Sequence, residues 1–202
     1  MIEFVAAVFF LLITPGPGVL TTAGVGAAYG MQQGLRYAAG IVLGAQLLMV
    51  LVASGLAAMI FALPYVREVL VAASASYLLY LALKIAVSGS RIAFIEGTSP
   101  RFVDGFVLSI INPKGYAVGT ALFSGFPFWP ESIVIENAIK VAVLFAIAVP
   151  VHLVWLAAGA TLKRLALGAR ITRAINIGMA IAMVVVVALA VLSQLPDMAN
   201  LF

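Results

Sequence analysis

No cysteine occurs in the 202-residue chain, so a disulfide, a thiolate metal site and a redox dithiol are all excluded. Histidine is represented once, by His152, and a lone imidazole cannot build a metal site. Charge is also scarce: 9% of residues are charged, against about 25% in soluble domains. Together with 65% hydrophobic residues and a mean hydropathy of +1.22, this excludes a water-soluble globular protein. Neither HExxH nor GxSxG is present, and acids fall at the edges of the apolar stretches, so the pattern disfavours an intramembrane hydrolase. The net charge of +4 and pI near 9.6 come from basic residues in short segments between apolar runs. Membrane topology explains that distribution better than nucleic-acid binding does.

What is present is a series of six apolar stretches of bilayer-crossing length: about Phe4–Ala23, Tyr37–Phe61, Val69–Val87, Phe106–Phe126, Val141–Ala160 and Ile175–Leu195. Segments such as Ile41–Val52 are continuously apolar rather than alternating, which predicts helices and excludes a transmembrane barrel. The expected fold is an all-α integral membrane protein of six transmembrane helices in a single domain, residues 1–202. Glu3 precedes the first run where a cleaved signal would carry basic residues, so that run is read as a retained span. Pro64, the Gly89–Pro100 stretch and Ala169–Thr172 are expected to separate spans, with no loop long enough for a soluble domain.

Basic residues set the orientation. Arg36, Lys84, Arg91, Arg101, Lys163, Arg164, Arg170 and Arg173, eight of eleven, fall in alternate connections, whereas Arg67 and Lys140 mark the opposite side. Both termini are therefore expected on the outer side.

The first span contains Thr14-Pro15-Gly16-Pro17-Gly18, through which no regular helix runs. The fourth contains Ile111-Asn112-Pro113-Lys114-Gly115, with Pro113 lying 113 − 15 = 98 positions after Pro15. The spacing reads as an internal repeat, about residues 1–98 and 99–202. Each half holds three spans, and an odd number inverts the second copy, giving two inverted three-helix repeats with broken helices in the first and fourth spans. Such architecture belongs mainly to secondary transporters and some channels. In hydrocarbon, irregular backbone survives only where it is buried or lines a cavity, so the breaks point to a cavity. Half-helix amides there suit a carboxylate and free carbonyls an ammonium, a match to a zwitterionic amino acid. The plainer alternative is that the prolines merely kink the helices.

Lys114 lies near mid-depth, where an ionised lysine costs about 2.5–3.5 kcal/mol and needs a partner. A substrate carboxylate, snorkelling and a neutral lysine are the open readings. Asn112 suits either substrate or the amides freed by the break. His152 follows Pro150 and is a candidate for coupling or gating; the alternative is a neutral imidazole on a carbonyl freed by Pro150. Gln46, Ser54, Ser109 and Tyr116 are weaker candidates for lining the cavity, since isolated polar residues also join helices. Gly40 and Gly44 form a GxxxG spacing that predicts close helix packing, and Gly55 lies further along the same span.

The Thr14–Gly18 motif, Gly34–Gly44, Tyr77-Leu78-Leu79-Tyr80-Leu81 and Phe102-Val103-Asp104-Gly105-Phe106 ahead of Asn112-Pro113-Lys114 together resemble the LysE/RhtB family over nearly the whole chain. The resemblance implies a bacterial inner-membrane exporter of a small amino acid or derivative, driven by the proton gradient through alternating access, with no cofactor, no metal and no enzymatic activity. It places substrate near Pro15–Gly18 and Asn112–Lys114. Its partners would be the amino acid and membrane lipid, with a homodimer allowed by small-residue faces. Two positions depart from the family pattern: Thr14 stands where serine commonly precedes Pro-Gly-Pro, and His152 where some relatives carry an acid. Without a mid-membrane carboxylate, a neutral substrate is expected rather than lysine or arginine. A channel is the rival reading, separable by counterflow or by proton-gradient dependence of flux.

Overall fold

A computed structural model describes residues 1–14, 16–63, 65–87, 100–165 and 169–192. Among these residues the regular structure is helical throughout: α1 (Ile2–Ile13), α2 (Pro17–Tyr29), α3 (Met31–Ala53), α4 (Leu56–Phe61), α5 (Val66–Val87), α6 (Phe102–Ile111), α7 (Pro113–Gly125), α8 (Ile133–Arg164) and α9 (Ala169–Leu192). Pro15, Pro64, residues 88–99, with Arg91 among them, residues 166–168 and residues beyond 192 lie outside the described set.

Both anticipated breaks are present. A residue that precedes proline is pushed out of the helical region. Thr14 accordingly takes φ −61°, ψ 129°, and Asn112 takes φ −77°, ψ 106°. Helices restart at Pro17 and Pro113, where a missing amide costs nothing. The bends are 48° between α1 and α2 and 62° between α6 and α7.

Helix ends differ from the expected spans at several places, α2 running on to Tyr29 and α3 and α6 starting earlier, at Met31 and Phe102, and three further differences bear on the fold. The second apolar run splits at Ser54 and Gly55, because Gly55 takes φ 79° and ends α3 with a left-handed residue. The fifth helix begins at Ile133, eight residues earlier than expected, because Glu136 and Lys140 pair one turn apart and so fit inside a helix. Ala169–Thr172 forms the first turn of α9 rather than a separator.

Close approach fixes the packing. A Cβ on Gly159 of α8 would strike the Ala23 carbonyl of α2, and one on Gly40 of α3 would strike the Phe102 carbonyl of α6. Two buried clusters lie among the helices. One gathers Tyr37, Ile41, Leu78, Leu81, Ile85 and Leu108; the other gathers Phe4, Val8, Leu48, Tyr116, Leu122 and Leu144. Outward faces are apolar as well: Phe10, Leu83 and Val154 are each 65% exposed, an arrangement that suits lipid rather than water. α3 and residues 133–162 of α8 are long and apolar enough to cross a bilayer, and the two bent pairs bring the number to four if each pair is one span.

Candidate functional site

The two breaks converge on one cavity of about 130 Å³. Its wall includes Thr14, Gly16, Pro17 and Gly18 from the first break, Asn112 and Lys114 from the second, Gln46 and Ser109 from neighbouring helices, and His152 from α8. Leu11, Ile41, Leu48, Met49, Leu144 and Val118 supply apolar surface. The volume is comparable to the roughly 150 Å³ of an apolar cavity that takes up benzene, so the space suits a small solute. Pro113 is not part of the wall; it starts α7 behind Asn112. Tyr116 packs instead in the cluster with Phe4 and Leu122, because two residues along a helix, about 200°, turn it away from the face that carries Lys114 and Val118. Ser54 is exposed, and its hydroxyl donates to the Leu51 carbonyl at the end of α3, away from the cavity.

The polar groups at the two breaks are not equivalent. Asn112 caps α7, its Oδ1 accepting from the Lys114 amide at 3.1 Å, while the Gly115 amide donates to the Asn112 carbonyl at 3.0 Å. Gly16, which opens α2, has no side chain with which to cap. The amides of Gly18 and Val19, in the first turn of α2, therefore have no side-chain cap from that position. The Thr21 and Thr22 hydroxyls both donate to the Gly18 carbonyl, at 3.0 and 2.8 Å, and so fasten the first turn from within. At the end of α1, Thr14 Oγ1 donates to the Phe10 carbonyl at 2.6 Å.

Lys114 reaches across from the second break to the first. Its Nζ stands 2.8 Å from where a Cβ on Gly16 would be, so glycine at that position admits the ammonium. The side chain is exposed, and among the described residues no carboxylate pairs with it. An ammonium beside a helix N-terminus places two positive potentials together, the unfavourable end of the macrodipole for a cation. The arrangement is suited to an anion between them.

On the opposite wall, His152 is 6% exposed and its Nδ1 lies 2.8 Å from the Ala148 carbonyl. The carbonyl that loses its amide partner to Pro150 is that of Ala146, four residues upstream, so the imidazole does not serve the proline break. Ser109 Oγ donates to the Ile41 carbonyl at 2.8 Å, joining α6 to α3. With its amide nitrogen turned toward α8, Gln46 donates to the Val141 carbonyl at 3.2 Å and accepts from the Phe145 amide at 3.3 Å. Both residues line the cavity while holding helices together.

One polar group that the sequence pattern did not single out is buried at another place along α8. Lys140, read as a marker of the outer side, has a fully buried side chain, and its Nζ donates to Glu136 Oε1 at 2.7 Å and to the Phe123 carbonyl at 2.9 Å. The rings of Phe4, Phe123 and Phe128 surround the ammonium at 5.5–5.8 Å. Only the four-residue spacing of Glu136 and Lys140 hinted at it.

Comparison with known proteins follows the same lines. The family model described as LysE type translocator matches residues 9–194. A leucine efflux protein of Enterobacter sp. (strain 638) is 30% identical over 129 residues, 61% of each chain. A cysteine/O-acetylserine efflux protein of Escherichia coli (strain K12) is 29% identical over 154 residues, 76% of this chain and 78% of its own. The chain thus spans about three fifths of the length of the leucine efflux relatives it matches. No solved structure matches. The family match covers both breaks and every residue that lines the cavity, and the chain belongs to the LysE type translocator family.

Proposed function

We propose that the protein is a secondary transporter that exports a small neutral amino acid, or a derivative of one, across the bacterial inner membrane by proton antiport. The observation that carries this reading is the Lys114 ammonium set against the uncapped N-terminus of α2, inside a cavity sized for a small solute. A carboxylate between Lys114 and the α2 amides relieves the clash of positive potentials and leaves the rest of the solute against apolar wall. No acid lines the cavity among the described residues, so a second ammonium finds no countercharge there, which supports a neutral side chain. The efflux proteins named above as similar carry leucine and cysteine or O-acetylserine, all compact and neutral in the side chain.

Six spans in two inverted repeats complete the reading, each repeat rocking against the other around the midplane site. Helix pairing supports it. At the level of whole spans, the first lies on the fifth through α2 and α8, the second lies on the fourth through α3 with α6 and α7, and α5 of the third lies on α9 of the sixth.

The test is export from cells loaded with leucine, threonine, cysteine and O-acetylserine as dipeptides or precursors. Lys114→Met is expected to insert normally and to lose at least about tenfold in export, the scale of one charge-assisted hydrogen bond. A protonophore is expected to stop uphill efflux. Full export by Lys114→Met would remove the lysine from the site, and protonophore-insensitive flux without counterflow would make the protein a channel.

A further inference from the structure

We propose that His152 receives the substrate's ammonium, and that the lone pair on its Nε2 is occupied in turn by that ammonium or by a proton. The proposal rests on the exporter reading above and names the group that would recognise the positive end of the zwitterion.

The tautomer follows from geometry. A backbone carbonyl can only accept, so the 2.8 Å contact between Nδ1 and the Ala148 oxygen places the hydrogen on Nδ1. In the neutral ring Nε2 is then a bare acceptor. It stands 3.5 Å from the position of a Cβ on Gly18, the residue that follows Pro17 in the first break. Because residue 18 is glycine, no side chain covers the lone pair. Among the described residues no donor reaches it, although the histidine is 94% buried by its 6% exposure. The acceptor opens on the cavity rather than being sealed inside the protein, so a donor that enters the cavity can reach it.

The other pole is close by. Lys114 Nζ faces Gly16 and His152 Nε2 faces Gly18, so acceptor and ammonium address a stretch of backbone no longer than about 7 Å. An α-amino acid holding one charge-assisted hydrogen bond of about 2.8 Å at each end spans roughly 8 Å. The carboxylate then lies toward Lys114 and the α2 amides, the ammonium toward His152, and the side chain toward Leu48, Met49 and Leu144. A neutral acceptor also explains how an ammonium can be held where no acid lines the cavity.

The same lone pair supplies coupling. Once protonated, Nε2 becomes a donor and a cation, and ammonium and proton exclude each other. A proton taken up from the outer side displaces the ammonium outward, and its release inside frees Nε2 for the next substrate, one proton for each amino acid. The ionisable side chains on α1, α2 and α3, which pack on α8, and on α7, which faces the same cavity, are Glu3, Tyr29, Arg36, Tyr37, Lys114 and Tyr116, of which Lys114 alone lines the cavity. On α8 itself, Glu136 and Lys140 are paired with each other three turns or more away, and Lys163 and Arg164 lie about three turns beyond on the other side.

The experiment uses the full chain in proteoliposomes, with leucine against 4-methylpentanoate and O-acetylserine against 3-acetoxypropanoate, each pair differing only in the amino group. His152→Asn keeps a donor where Nδ1 lies and, with its own amide oxygen near the Cδ2 position, leaves no acceptor where Nε2 lies. Half-saturation for exchange of the amino acid is expected to rise roughly tenfold or more, and the preference over the des-amino acid to disappear. Gly18→Ala, whose methyl meets only ordinary contacts, is expected to do the same by covering an intact His152. His152→Gln supplies an acceptor that cannot take a proton, so exchange and preference are expected to return while accumulation driven by a pH gradient is lost. Wild-type half-saturation and preference in both His152→Asn and Gly18→Ala would overturn the proposal, as would undiminished gradient-driven accumulation by His152→Gln. Failure of the wild-type protein to move leucine, threonine, cysteine and O-acetylserine alike would defeat the exporter reading itself, and the histidine assignment with it.

Discussion

Inside α8, Lys140 has exchanged water for Glu136 Oε1, the Phe123 carbonyl and three aromatic rings, which together satisfy a fully buried ammonium. Glu136 is held in turn by the amides of Phe128 and Trp129, at 2.9 and 2.6 Å through Oε2. The cluster therefore joins α1, the end of α7, the 126–132 connection and the start of α8. A paired buried ion gains little over an apolar replacement, but removing one partner leaves the other uncompensated. Lys140→Met is accordingly expected to lower the unfolding temperature in detergent by roughly 5 °C or more. Combining it with Glu136→Gln is expected to recover part of that loss, and additive losses from the two substitutions would show that the groups act separately. The contrast with Lys114 marks what composition can tell. A lysine beside Asn-Pro stood out at mid-depth, but Lys140 looked like an ordinary topology marker because its neutralising partner and cage come from other segments. Tyr116 lies with Phe4 and Leu122 rather than on the cavity wall for a related reason: polarity alone does not say which face of a helix points inward.

Between elements, glycine decides how near two backbones can come. Gly40 and Gly44 of α3 lie against Phe102 and Phe106 of α6, while Gly178 of α9 has open space around it. Gly40→Ala is expected to push α3 from α6 and destabilise the fold by about 1–3 kcal/mol. Gly178→Ala has nothing to displace, and is expected to be neutral or to gain up to about 1 kcal/mol through helix propensity. Thermal unfolding of the two variants in the same detergent compares them directly, and equal behaviour would break the link between close approach and stability. The Gly40–Gly44 spacing was legible in sequence because its period matches one helix face. The paired breaks were legible because proline and glycine act on the backbone at their own positions. The split at Gly55 was not, since a glycine within an apolar run signals packing as readily as a positive φ.

For the molecule as a whole, the decisive question is whether the bent pair α6–α7 crosses the membrane or turns back within it. Three spans before the pair would invert the second repeat, and crossing makes the pair the counterpart of the first span. Turning back would leave Arg101 and Glu131, which flank the pair and are both exposed, on one side. The sequence supplies its own tool, since a chain with no cysteine is a silent background for labelling. With basic connections inside, Glu131→Cys is expected to react with a membrane-impermeant maleimide in intact cells, and Arg101→Cys only after permeabilisation. Reaction of both from the outside, or of neither, would make the pair re-entrant and remove the inverted repeat. The reverse pattern would keep the crossing but flip the orientation, so that a proton driving export would enter from the opposite end of the Lys114–His152 site.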